Sequence, residues 1–114
     1  MSKSTKRTYS AYSQDAMSLL GITIRAERKL KKMTEQALAD RAGVSRSFIK
    51  RVERGDMSCS IGAVFEIAYI VGIPLFDAMP NTRQMEQQID RVKDKLTLLP
   101  RTIHKKAKVI DDDF

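Results

Sequence analysis

Hydrophobic residues recur along this chain at the spacing of amphipathic helices. Met17, Leu20 and Ile24 stand at positions i, i+3 and i+7, which places their side chains on one helical face. Residues 61–71 are mostly apolar, and a helix of that composition must be buried on most of its sides. We therefore expect helices over about 13–32 and 61–71 that share one core.

Capping signals predict two shorter helices between these. Thr34 and Ser45 each offer a hydroxyl that can accept a hydrogen bond from a free amide of a first helical turn. Gly43 can take the left-handed conformation that ends a helix. The sequence thus predicts helices at about 35–42 and 46–54, separated by a short turn.

Prolines divide the remainder of the chain. Pro74 suits the first turn of a short fifth helix, PLFDAM, because its fixed φ is compatible with that position. From about Thr82 to Pro100, apolar residues are spaced four and three positions apart, the heptad pattern of a coiled-coil seam. The members of this heptad seam are Met85, Ile89, Val92, Leu96 and Leu99.

These signals divide the chain into four regions. We expect a basic flexible arm at 1–12, a helical domain at 13–80, an extra helix at 81–99 and a flexible tail at 100–114. The heptad seam either packs on the chain's own core or pairs with a second chain. We favour pairing, because the predicted core is complete without the extra helix.

The chain is basic, with a net charge of +7 and a pI of about 9.8. A positive balance favours polyanionic partners such as nucleic acid or an anionic membrane surface. The single cysteine, Cys59, excludes an internal disulfide and fits a reducing compartment. No apolar run approaches the roughly 18 residues that span a bilayer, and the basic N-terminus lacks the apolar segment of a secretory signal. We expect a cytoplasmic protein.

Groups that could converge for catalysis are scarce. The only histidine, His104, has no second histidine or cysteine partner for a zinc site or a nucleophilic pair. No phosphate-binding glycine loop is present. The acidic run at 111–113 has the composition of a weak cation site, but such runs are more often simply solvated. We expect no enzymatic activity, no cofactor and no metal.

The stretch GVSRSFIKRVERG, residues 43–55, predicts a helix with two different faces. Ile49 and Val52 are spaced to bury one face, whereas Arg46, Ser47, Lys50 and Arg51 stand on the other. A helix fits the major groove of B-DNA, where a guanidinium can bond guanine O6 and N7 and an ammonium can meet phosphate. This pattern points to DNA recognition.

The segment MTEQALADRAGVSRSFIKRVERG resembles the helix-turn-helix of the Cro/C1 (XRE-type) repressor family. The resemblance implies an all-α fold, in which 13–80 is a five-helix lambda-repressor-like DNA-binding domain, here followed by an extra helix and a flexible tail. It also implies a homodimer on a palindromic operator in double-stranded DNA, with the second helix of the motif in the major groove. Such a protein is nucleoid-associated when it is bound to DNA.

Residue roles follow from position in the resembling family. The residues expected to contact bases are Arg46, Ser47, Lys50 and Arg51, and those expected at the DNA backbone are Thr34, Gln36 and Arg54. The family pairs a glutamate of the second helix with an arginine of the first helix, which here implies a partly buried ion pair between Glu53 and Arg28.

This chain departs from the family at three positions. Glu35 replaces a common glutamine, and its carboxylate would repel phosphate. Glu27 replaces an apolar residue of the first helix. Phe48 is large for its position and either joins the core, which we favour, or touches a thymine methyl group.

The end of the chain suggests a narrower resemblance. The stretch GDMSCSIGAVFEIAYIVGIPLFDA, the extra helix and the terminal DDDF resemble HipB-type antitoxins, which implies an autoregulatory repressor that also restrains a HipA-like serine/threonine kinase toxin. The alternative is a stand-alone or phage-type repressor without a toxin partner. The tail is either an unstructured extension or a docking segment. Its candidate docking residues are Val109, Ile110, Asp111, Asp112, Asp113 and Phe114.

Overall fold

The computed structural model describes residues 7–102, which form five α-helices and no strand. The helices are α1 (Ala11–Leu30), α2 (Glu35–Ala42), α3 (Arg46–Glu53), α4 (Ile61–Val71) and α5 (Gln84–Thr97). The chain divides into two compact units, one that ends at Asn81 and one that begins at Thr82. The expected all-α class is confirmed.

The first unit packs four helices around one apolar core. Each helix contributes at least one side chain that is buried, and the largest fully buried ones leave no surface to solvent. The buried core residues are Ile24 from α1, Leu38 and Ala39 from α2, Ile49 and Val52 from α3, and Val64, Ile67 and Val71 from α4. Burial of each large apolar side chain contributes about 1.5–3 kcal/mol, so this cluster holds α2 and α3 against the other two helices.

The helix caps and the turn around α2 and α3 match the sequence signals. The Thr34 hydroxyl accepts a hydrogen bond from the Ala37 amide at 3.0 Å, and the Ser45 hydroxyl accepts one from the Phe48 amide at 3.0 Å. Gly43 lies in the left-handed region with φ of 71°. Any side chain there would be strained, so the glycine makes the sharp turn between the two helices possible.

Close approach between α1 and the end of α3 depends on Gly21. This residue is buried on α1, and a Cβ atom at its position would collide with the carbonyl oxygen of Val52. Gly55, which follows α3 with φ of 81°, lies against Ser18 of α1 in a similar way. The backbone of α3 therefore rests almost directly on α1.

An ion pair at the same junction joins α1 to α3. Arg28 Nε donates to Glu53 Oε2 at 2.7 Å, and Arg28 Nη2 donates to Glu53 Oε1 at 3.0 Å. The two residues are only 6% and 7% exposed. Arg28 Nη1 also donates to the carbonyl of Met33 at 2.9 Å, just before α2 begins. The hydrogen bond to Glu53 raises the pKa of Arg28, so the guanidinium stays charged despite its burial.

The bounds of α1 and α5 differ from the expected ones. α1 begins at Ala11, because the Ser10 hydroxyl accepts a hydrogen bond from the Ser13 amide and caps the helix there. Ala11 and Tyr12 are thus helical, although the sequence placed them in the flexible arm. The extra helix is also shorter than expected, since α5 covers Gln84–Thr97.

The expected short helix at PLFDAM is wrong. Phe76 and Asp77 have φ of 53° and 58°, which no right-handed helix can accommodate. Leu75 and Ala78 instead form an isolated antiparallel bridge, in which the Ala78 amide donates to the Leu75 carbonyl at 2.9 Å. This tight turn buries Ala78 and places the Phe76 ring edge-on to Phe65, with centroids 6.2 Å apart.

Replacing Arg28 with alanine is expected to destabilise the first unit strongly. The substitution leaves the Glu53 carboxylate buried without its countercharge, and removal of one partner from such a pair costs about 3–5 kcal/mol. The measurement is the melting temperature by circular dichroism. Arg25→Ala, which removes an exposed arginine from the same helix, is the control and should leave the melting temperature nearly unchanged. Equal melting temperatures for the two variants would contradict a stabilising role of the pair.

Candidate nucleic-acid interface

α3 presents one apolar and one polar face, as its sequence predicts. Ile49 and Val52 are fully buried. Arg46, Ser47 and Lys50, three of the four residues expected to contact bases, are exposed. Because α3 rests on α1 and on the core through its other side, these polar groups project from a fixed support.

Phe48 lies between the two faces. It is half-buried and packs against the core cluster, as the favoured interpretation expected. The Arg51 guanidinium lies over its ring, 5.5 Å from the ring centroid. A cation at this distance is attracted by the electron-rich ring face, so Phe48 also supports one of the expected base readers.

Glu35 pairs with two cations of α3. Its Oε1 lies 3.3 Å from Arg46 Nε and 3.7 Å from Lys50 Nζ. Partial burial would raise the pKa of Glu35, but the hydrogen bond from Arg46 and the charge of Lys50 outweigh that effect and lower the pKa. Glu35 is therefore ionised at neutral pH and offsets positive charge on the exposed face of α3.

A second carboxylate holds Arg51. Asp56 Oδ2 lies 3.1 Å from Arg51 Nε, and Arg51 Nη2 donates to the Ser58 hydroxyl at 3.1 Å. Asp56 Oδ1 in turn accepts from the Ser58 amide at 2.8 Å and from the Ser58 hydroxyl at 2.6 Å. Arg51 is thus the one expected base reader that is fixed in place by the loop after α3.

The residues expected at the DNA backbone lie at helix ends. Thr34 is the N-cap of α2, Gln36 is exposed in its first turn and donates to Asp40 Oδ1 at 2.9 Å, and Arg54 is exposed at the C-cap of α3. The amide groups of a helix N-terminus favour nearby anions. Thr34 and Gln36 therefore lie where the helix N-terminus favours a phosphate. The negative charge of Glu35 in the same turn acts against that preference.

Sequence reasoning missed the roles of two residues. Asp56 and Ser58 were assigned no function, although an aspartate two residues before a serine is a common turn signal in which the carboxylate accepts from the following backbone.

Glu27 is half-exposed, and its Oε1 lies 3.4 Å from Lys31 Nζ. The tail residues proposed for docking, 109–114, lie outside the described residues.

Asp56 is expected to titrate far below an ordinary aspartate. Hydrogen bonds from the Ser58 side chain and backbone, followed by the one from Arg51, lower its pKa to about 2. Any stability this carboxylate contributes is therefore present above its unfolded pKa of about 4 and is lost as the pH falls through about 2. Carbon-detected NMR should place its midpoint there, and Ser58→Ala should raise it. A midpoint near 4 in the unmodified protein would contradict this geometry.

Comparisons with known proteins match this architecture. Residues 24–77 match a family described as helix-turn-helix. The chain is also 30% identical over 78 residues to an uncharacterized HTH-type transcriptional regulator, y4dL, of Sinorhizobium fredii. That match covers 65% of this chain and 40% of the relative, so the chain spans less than half of the relative's length.

Two negative findings concern the described part of the chain only. Within residues 7–102, no helix is long and apolar enough to cross a membrane. In the same range, no three His, Cys, Asp or Glu side chains are grouped so that they could hold a metal ion. The four packed helices of the first unit and the short turn at Gly43 agree with the match of residues 24–77 to a helix-turn-helix family.

Proposed function

We propose that this protein is a sequence-specific DNA-binding repressor of transcription that acts as a homodimer on a palindromic operator. The observation that carries the proposal is the fixed polar face of α3. Arg46, Ser47 and Lys50 are exposed on a helix whose other face is buried and whose end is held by the Arg28–Glu53 pair. A rigid cationic helix at the surface is what major-groove docking requires.

Different residues serve specificity and affinity in this proposal. Arg46 and Ser47 begin α3 and reach base edges, because the first turn of such a helix enters the groove most deeply. Arg51, supported by Phe48 and Asp56, reads a further base, and Lys50 meets either a base or a phosphate. Contacts to phosphate position the protein but carry little sequence information. These contacts come from Thr34, Gln36 and Arg54.

A homodimer follows from the operator. One helix-turn-helix covers one half-site, and two copies place their α3 helices about 34 Å apart on successive turns of the groove. The heptad seam offers the surface for pairing, since Ile89, Val92 and Leu96 of α5 and Leu99 just after it are about half exposed. A repressor that binds the promoter of its own gene would be autoregulatory.

The narrower version of the proposal is an antitoxin. The resemblance of residues 55–78 and of the DDDF end to HipB-type antitoxins supports a protein that also restrains a HipA-like kinase. Co-purification with a kinase encoded by the neighbouring gene, and loss of kinase inhibition on deletion of 100–114, are the expected results. If no neighbouring kinase binds, the stand-alone repressor remains.

Substitutions in α3 should separate base reading from phosphate binding. Arg46→Ala is expected to reduce discrimination between the operator and a scrambled duplex by about 5- to 100-fold, since a good base contact contributes about 1–3 kcal/mol. Arg54→Ala should weaken binding to both duplexes alike and lower the slope of log affinity against log salt by about one.

Fluorescence anisotropy over a range of salt concentrations measures both effects, on an operator selected from a randomised duplex library. Arg91→Ala on α5, which removes an exposed cation outside the helix-turn-helix, is the control. If the library yields no enriched sequence and no palindrome, the proposal of a sequence-specific repressor is wrong.

Replacing Glu35 with glutamine should strengthen binding to any duplex. The substitution removes the anion that competes with DNA for Arg46 and Lys50, and we expect affinity to rise about three- to tenfold at low salt, the range for loss of one or two ion pairs near the surface. Preference for the operator should fall. Glu27→Gln, which removes an exposed anion paired with Lys31, is the matched control. A drop in affinity on Glu35→Gln would mean that the carboxylate itself contacts DNA favourably.

A further inference from the structure

α5 has an apolar face that remains largely exposed among the described residues, 7–102. No residue of the helix is buried, and Ile89, Val92 and Leu96 are 47%, 58% and 61% exposed. All three belong to the heptad seam. A helix of 14 residues is marginally stable in water by itself. The seam therefore requires a cover, and the charges beside it indicate which one.

The charges that flank the seam are complementary only in one arrangement of two α5 helices. In the heptad register, Met85, Val92 and Leu99 occupy d positions and Ile89 and Leu96 occupy a positions. Glu86 and Lys93 then both occupy e positions. Helices that run antiparallel bring e positions opposite each other, so each Glu86 meets a Lys93 of the second copy.

The core layers of this antiparallel pair are also complete. When the twofold axis lies between Ile89 and Val92, Ile89 of each copy packs against Val92 of the other, and Met85 of each packs against Leu96 of the other. All four layers are apolar. Two Glu86–Lys93 contacts flank them, and the remaining flanking contacts pair the uncharged Gln88 with Lys95.

Other arrangements lack this complementarity. A parallel pair places Gln88 opposite Lys93 and creates no attraction between opposite charges. An antiparallel pair shifted by one layer brings Lys93 against Lys93 and Lys95 against Lys95, which is repulsive. The distribution of charge therefore selects both the direction and the register.

We propose that α5 forms an antiparallel two-helix interface with α5 of a second copy, with Met85 opposite Leu96 and Ile89 opposite Val92. The inference rests on the proposed function, because a palindromic operator requires two copies. It adds the surface, the direction and the register of pairing. The opposite face of α5, which carries Asp90, Arg91 and Asp94, points away from the interface.

A charge-reversal cycle tests the flanking contacts. Glu86→Lys and Lys93→Glu are each expected to raise the dissociation constant of the dimer about tenfold, because two attractive pairs become repulsive. The double variant should return to within about twofold of the unmodified protein, since both pairs are restored with reversed signs. Asp94→Lys makes the same charge change on the outer face and should have less than about a twofold effect. Sedimentation equilibrium gives these constants.

Cysteine crosslinking tests the direction, in a Cys59→Ala background. A mixture of Met85→Cys and Leu96→Cys chains is expected to form a disulfide-linked heterodimer under mild oxidation, whereas neither variant alone should crosslink. In the antiparallel pair, two copies of position 85 are separated by about 16 Å along the helix axis, given a rise of about 1.5 Å per residue. Efficient crosslinking of Met85→Cys with itself would instead establish a parallel pair and overturn the proposal.

The outcomes also separate this proposal from the proposed function. The α5 interface alone is overturned by three results together. The protein binds its selected operator, the double charge variant does not recover dimerisation, and the mixed cysteine chains do not crosslink with or without DNA. If α5 is covered by a different protein, the purified chain stays monomeric and all the charge variants sediment alike, which overturns it too. Failure to bind any DNA while the crosslinked dimer forms overturns the repressor and leaves the interface standing.

Discussion

The placement of α3 depends on a buried contact between opposite charges. Arg28 and Glu53 satisfy each other through two hydrogen bonds, and the third contact of the guanidinium reaches the backbone before α2. Breaking the pair strands a charge away from water, so intermediate positions of α3 are strongly disfavoured. Apolar packing alone tolerates small shifts, whereas a bidentate pair specifies one geometry. The direction in which the polar face of α3 points is thus set by this pair together with the backbone contact at Gly21.

Carboxylates of the chain itself lie beside the positive charges of the same helix. Three of its cations lie close to a carboxylate of the chain itself: Arg46 and Lys50 to Glu35, and Arg51 to Asp56. The contacts differ in kind. Those of Glu35 are long and reach the exposed side chains of Arg46 and Lys50, so they are weak. Two hydrogen bonds from Ser58 fix the Asp56 carboxylate that pairs with Arg51, and they lower its pKa to about 2. One carboxylate offsets positive charge on the exposed face of α3, and the other orients Arg51.

Much of the first unit could be predicted from the sequence, because its signals are local. Thr34, Gly43 and Ser45 specify the turn between two helices through capping and backbone conformation, and the periodicity of Ile49 and Val52 specifies the buried face. The pairing of Arg28 with Glu53 spans 25 positions, and only the resemblance to a family suggested it. The contacts of Glu35 and Asp56 depend on how side chains from different segments meet in space, and residue spacing in the sequence does not predict them.

The error at PLFDAM shows where local signals fail. Pro74 is compatible with a helix start, yet Phe76 and Asp77 adopt left-handed conformations, which are costly for a bulky residue such as Phe76 and more readily adopted by an aspartate. The tertiary contacts compensate for that strain, because the turn buries Ala78 and sets Phe76 against Phe65. The core of the first unit is thereby closed by a turn and not by a fifth helix. The apolar residues of α5 keep heptad spacing from Met85 to Leu96, and this spacing is the feature on which the proposed pairing with a second chain rests.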